Sequence, residues 1–83
     1  MDLTKAKLQT PLKVVAVQNS DSDHQIARRL LELGFIPGSV VEVRNKAPLM
    51  HDPIAVLVRG MVVALRKYEA SLVKVEPVKG PQP

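Results

Sequence analysis

Cysteine is absent from the 83 residues, and so is tryptophan. No disulfide can form, and thiolate metal sites are excluded. That composition fits a reducing compartment. A chain of this length buries only about 60–65% of the surface its unfolded form exposes. With no disulfide to help, an apolar core must carry the stability. Aromatics are nearly missing as well, with Phe35 and Tyr68 the sole members of that class. The core therefore has to be built from Val, Leu, Ile and Ala, which suits strands, because branched side chains pack well on a pleated surface.

Long apolar runs are also lacking. The longest hold five residues, as in Ile54–Val58, against the roughly 20 that a spanning helix needs. The N-terminal Met1–Lys5 stretch has no continuous apolar segment of the kind a signal peptide carries. A soluble protein without membrane insertion is expected.

Catalytic vocabulary is equally thin. His24 and His51 are the only histidines. Ser20, Ser22, Ser39 and Ser71 all stand where caps or turns would use them, and Glu32, Glu42 and Glu76 fall on solvated faces. Nothing resembles a nucleophile with a base oriented by a third group. No glycine-rich loop ends in Lys-Ser or Lys-Thr, so the chain is not expected to hydrolyse GTP itself. No enzymatic activity and no cofactor are expected. His51 and Asp52, with Met50 beside them, are the one metal candidate. Two adjacent groups fall short of the roughly four that a structural site needs, so His51 reads as an exposed loop residue and no metal is assigned.

What is present is punctuated clearly. Leu3 to Pro11 reads as a lead-in anchored by Leu3 and Leu8. Leu12 to Gln18 reads as a strand. Asp23 to Leu33 reads as the one helix, capped by Ser22 with Gln25 three residues on. Its apolar arc holds Ile26, Ala27, Leu30, Leu31 and Leu33; Arg28, Arg29 and Glu32 lie opposite. Gly34 stands where a left-handed residue ends a helix. Pro37-Gly38 predicts a type II turn. Val40 to Lys46 alternates as a half-buried strand. Ala47 to Pro53 is a loop. Ile54 to Val58 and Val62 to Arg66 are strands joined by a hairpin at Arg59-Gly60. Lys67 to Ser71 makes a short corner, and Leu72 to Glu76 is the last strand. Residues 77–83 hold three prolines and a glycine and read as a disordered tail, which leaves residues 1–76 as a single domain.

Five short strands with brief turns do not stay flat, because twist accumulates and open edges invite pairing. A mainly β fold follows: a small barrel of about five strands, with one short helix plugging an open end. Ile54, Val56 and Val58 point to one face, Ala55 and Leu57 to the other. Met61, Val63 and Leu65 likewise oppose Val62 and Ala64. A small barrel buries one face only, so the spare apolar residues lie under the helix, under a loop or against another protein.

Three segments stand in order: Leu30-Leu31-Glu32-Leu33-Gly34-Phe35-Ile36-Pro37-Gly38; then Ala47-Pro48-Leu49 with Asp52-Pro53-Ile54; then Ala64-Leu65-Arg66-Lys67 with Glu69-Ala70 and Val73 to Val75. Together they resemble the ferrous iron transport protein A (FeoA) family over roughly residues 8 to 77. The resemblance implies an SH3-like barrel. It also implies a cytoplasmic accessory role beside a membrane ferrous iron transporter that carries a GTP-binding domain (FeoB-like). The family often has a single glycine before the aspartate-proline pair, where this chain has Met50-His51.

The expected partner surface is the corner Leu33, Gly34, Phe35, Ile36 and Pro37, together with Met50 and His51 of the neighbouring loop. Two readings of Phe35 stand: an interface anchor, or the apolar contact that closes the helix cap. Self-association, if any, is expected to be weak. The rival function is a stand-alone SH3-like module that binds nucleic acid or serves as a regulator or adaptor. Arg44, Lys46, Arg59, Arg66 and Lys67 would supply its charge, but the strands offer no aromatic platform for bases, and no nucleic acid is expected.

Overall fold

Alternation decides which side of the sheet is inside. In the computed structural model, which describes residues 1–78, Ile54, Val56 and Val58 of β3 (Ile54–Val58) are all buried, while Ala55 and Leu57 between them are half-buried. β1 (Leu12–Val17) buries Leu12 and Val14, β2 (Val40–Lys46) buries Val41 and Val43, and β5 (Val73–Pro77) buries Val73 and Val75. β4 (Met61–Leu65) buries only Leu65 fully.

The five strands form one antiparallel sheet in the order β4-β3-β2-β1-β5. Register shifts between Val14 and Ala16 and between Val43 and Asn45 mark bulges. Bulges bend a strand and increase its twist, which lets so small a sheet curl around its own core. β4 and β5 stand at the two ends of the order. Between them runs α2 (Lys67–Ser71), a single turn of helix that touches both. The architecture is the expected one, five strands with one main helix.

That helix, α1 (His24–Leu33), lays Ala27 and Leu30 into the core, with Ile26 and Leu33 partly buried against it. Leu31, expected on the same arc, is exposed. Leu8, expected as an anchor, is exposed too, whereas Leu3 is fully buried. The lead-in is held elsewhere than at Leu8: the Lys46 ammonium donates to the carbonyls of Thr4 at 3.2 Å and Ala6 at 3.0 Å.

The helix does not begin as expected. A short 3-10 turn, Asp21–Asp23, precedes it, and Ser22 makes no cap. Ser20 Oγ instead donates to Asp23 Oδ2 at 3.0 Å, and the Tyr68 hydroxyl donates to Asp23 Oδ1. The start of α1 is thereby tied to α2. Its end follows the sequence closely. Gly34 takes φ +115°, its N–H reaches the Leu31 carbonyl at 3.0 Å, and the Phe35 N–H reaches that of Leu30 at 3.0 Å. This pair of bonds is the Schellman motif. The next turn is closed by Ser39 N–H on the Ile36 carbonyl at 2.8 Å, with Gly38 at φ +96°, as a Pro-Gly type II turn requires. Arg59 and Gly60 both have positive φ, and Val58 pairs with Met61 across them. Positive φ at both central residues is the type I′ hairpin condition.

β5 extends through Pro77, one residue beyond the expected strand. Of the tail expected over residues 77–83, positions 79–83 lie outside the described residues.

Candidate functional site

The expected corner and loop do not meet. Gly34 lies against Val58 and Arg59, at the hairpin end of β3. The Ala47–Pro53 loop enters β3 at Ile54, its other end. At about 3.3 Å per residue, the strand between them spans roughly 13 Å. The chain therefore presents two separate candidate surfaces.

At the corner, Phe35 is fully buried and Gly34 is buried with it. Of the two readings of Phe35, its burial favours cap closure: the side chain joins the core cluster with Leu30. Leu33 is half-buried against that core; Ile36 and Pro37 are exposed. Only the turn beyond Phe35 is exposed there.

The loop is the reverse case. Leu49 is 80% and Met50 74% exposed, the two largest values among the described large apolar residues, and His51 is exposed beside them. Met50 and His51 hold φ of +61° and +55°, a region that non-glycine residues visit sparingly. The base beneath them is fixed. Ala47 N–H donates to the Pro53 carbonyl at 3.0 Å, and Asp52 Oδ1 accepts the Lys67 N–H at 3.2 Å. Asp52 thus serves the first turn of α2, a role its place beside His51 concealed. No cluster of three metal-ligating side chains occurs among the described residues.

Several of the basic side chains are engaged within the fold. Arg28 Nε pairs with Glu32 at 3.7 Å, and Arg29 Nη1 reaches Glu69 Oε2 at 2.7 Å, joining α1 to α2. Arg44 pairs with Glu42 at 3.5 Å, and Lys46 is committed to the lead-in carbonyls. Arg59 lies at one end of β3 and Arg66 and Lys67 at the other, so the basic residues do not gather into one patch.

The α1–α2 link has a titratable handle. The hydrogen bond to Asp23 raises the Tyr68 phenol above its ordinary 10.0, with burial and the Asp23 charge acting in the same direction. A folded value raised above the unfolded one means the contribution is complete below pH 10.0 and is lost as pH rises through the folded value. Tyr68 is the only tyrosine, so tyrosinate absorbance reads it alone. We expect a midpoint above 10.0 that falls in Asp23→Asn; an ordinary midpoint in the native chain would refute the link.

No enclosed pocket occurs among the described residues. Fold and site together define a small SH3-like module with exposed loops. The FeoA domain model matches residues 1–77, and the chain belongs to the FeoA family, which is linked to ferrous iron transport. The Stenotrophomonas maltophilia FeoA crystal structure, complexed with zinc and described as a prokaryotic SH3 domain protein possibly acting as a ferrous iron transport activating factor, is similar at 39% identity. The match covers 92% of this chain and 89% of that one, with TM-score 0.82. The FeoA protein of Chlorobium tepidum is 30% identical over 99% of this chain and 74% of its own, with TM-score 0.79. A manganese-dependent transcriptional repressor shares the fold at 20% identity and TM-score 0.79, over 94% of this chain and 41% of its own.

Proposed function

We propose that this chain is a cytoplasmic accessory protein of ferrous iron uptake. It docks on a membrane iron transporter with a GTP-binding domain, FeoB-like, and modulates its GTP-linked transport. Membership of the FeoA family supports the process. The loop tip supports the mode: Leu49 and Met50 stand out from a base fixed by Asp52 and Ala47. A domain without a catalytic set acts on another protein through differential binding to its states, and exposed apolar side chains on a fixed base are suited to that. The Ile36-Pro37 turn is a second, smaller contact at the far end of β3.

The test is capture of the transporter from detergent-solubilised membranes by the tagged chain. Leu49→Asp and Met50→Asp should each weaken capture by about tenfold, as loss of a central interface side chain does. The melting temperature should hold, because exposed substitutions generally change stability by within about 0.5 kcal/mol. Unchanged capture by both variants would remove the loop from the interface. A native chain that captures no transporter, yet binds duplex DNA or RNA with a steep salt dependence, would replace the proposal by the rival reading.

A further inference from the structure

The two edges of the sheet are treated differently. The β5 edge is covered. Val75 N–H donates to the Met1 carbonyl at 2.8 Å, the Met1 amine reaches the Val75 carbonyl at 3.4 Å, and Asp2 bridges to Lys74. β5 also carries Lys74, Glu76 and Pro77, the residue types that discourage further pairing. The β4 edge has none of this. Its five residues, Met61-Val62-Val63-Ala64-Leu65, contain no charge and no proline, and among the described residues no strand lies beyond it in the sheet.

The hairpin fixes which backbone groups are free. In a two-residue hairpin the flanking residues, here Val58 and Met61, exchange both hydrogen bonds, and bonded and non-bonded pairs alternate from there. With Leu57 opposite Val62 and Ala55 opposite Ala64, the N–H and C=O groups of Val62 and Ala64 point away from β3. Val62 is 60% and Met61 55% exposed, and Ala64 is exposed. Beyond either end of this apolar strand stand cations: Arg59 on one side, Arg66 and Lys67 on the other. None of the three has an ion-pair partner among the described residues.

We propose that β4 is an acceptor edge for an extended apolar peptide strand flanked by acidic residues. The strand adds to the sheet through the outward groups of Val62 and Ala64, the general mode of β-augmentation, while its acidic flanks meet Arg59 and the Arg66-Lys67 pair. The same charges disfavour a second copy of this chain. Antiparallel self-pairing about Val63 would set Arg59 against Lys67 of the other copy, and like charges placed opposite are destabilising. This binding mode does not depend on the identity of the transporter.

The probe is a synthetic nine-residue peptide, three valines alternating with two threonines between pairs of glutamates, long enough at about 3.3 Å per residue to span both cationic ends. Added to the isotope-labelled chain, it should shift and protect the Val62 and Ala64 amides. It should bind about tenfold more tightly than the same peptide flanked by lysines, with the preference shrinking as salt rises. Ala64→Pro removes an outward donor and leaves the β3 ladder intact, a position where an edge strand accepts proline; binding should fall by about tenfold. Should that variant misfold, Lys67→Glu gives the second reading: affinity for the glutamate peptide falls and affinity for the lysine peptide rises. Equal affinity for the two peptides, or shifts confined to residues away from β4, would overturn the proposal. So would β4 shifts that depend on protein concentration alone, which would mark a second copy as the occupant.

Discussion

Phe35→Ala should unfold the domain rather than release a partner. The side chain is fully buried in the core cluster, and its own N–H closes the end of α1 on Leu30. Removing a buried phenyl ring costs about 3–5 kcal/mol. A chain of this length has a total stability of about 4–12 kcal/mol, so the loss is a large share of it. Urea unfolding should show a much lower midpoint or no folded baseline. Phe35→Leu should retain most of the stability, since it keeps an apolar side chain of similar reach. An unchanged midpoint in Phe35→Ala would return the residue to the contact surface. Among the exposed residues of the corner, Ile36→Ala should leave the midpoint within about 0.5 kcal/mol of the native chain.

Gly34→Ala should be the next most damaging change for its size. Gly34 holds φ +115°, where a Cβ is disfavoured whatever the space around it. Left-handed backbone costs a residue with a Cβ about 1–2 kcal/mol. Space is short as well: a Cβ there would overlap Arg59 Cδ and lie 2.7 Å from Arg59 Cγ and 3.1 Å from Val58 Cγ2. Val58 is buried and cannot give way, but the Arg59 side chain can be shortened. Arg59→Asn keeps a residue that tolerates the hairpin's left-handed position and clears the overlap. The double variant should therefore recover the overlap part of the loss and leave the backbone part, as measured by chemical unfolding of all three proteins. Full recovery would show that φ at Gly34 is no constraint.

Both predictions concern a stretch that local sequence specifies well. Gly34 as helix terminator, the Pro37-Gly38 turn, the Arg59-Gly60 hairpin and the alternation of β2 and β3 each depend on residues a few positions apart. The readings that needed distant partners fared differently. Ser22 was expected to cap α1, but Asp23 is drawn to Ser20 and to Tyr68, and a 3-10 turn takes up the slack. Lys67 to Ser71 was expected as a corner and is a helical turn. Its signal was present in Arg66 followed three residues later by Glu69, whose Oε1 accepts the Arg66 N–H at 2.7 Å, one half of a capping box. Leu3 and Leu8 were indistinguishable as anchors until β2 supplied Lys46 to hold the lead-in.

The candidate site was the least legible part. Exposure of Leu49 and Met50 depends on how far the loop stands off β3, and burial of Phe35 depends on the core around it. Neither quantity is written in a short motif. The separation of corner and loop follows from their attachment to opposite ends of one strand, which becomes visible only when β3 is paired on both sides. Sequence proximity had suggested one surface where the fold makes two.

The pairing of β1 with β5 fixes when folding can finish. β2, β3 and β4 form a meander whose contacts arise as the chain lengthens. β1, by contrast, meets β2 through only Leu12 and Lys13, while Val14 and Val17 pair with Val75 and Val73. Those partners are made after β2, β3 and β4, so β1 waits for β5 before its ladder forms. Leu3 and the Met1 carbonyl wait with it, since their places lie in the finished core and on β5. A chain arrested before residue 73 would hold a nascent meander with its apolar inner face uncovered. Such a fragment should be a substrate for chaperones or proteases rather than a smaller working domain.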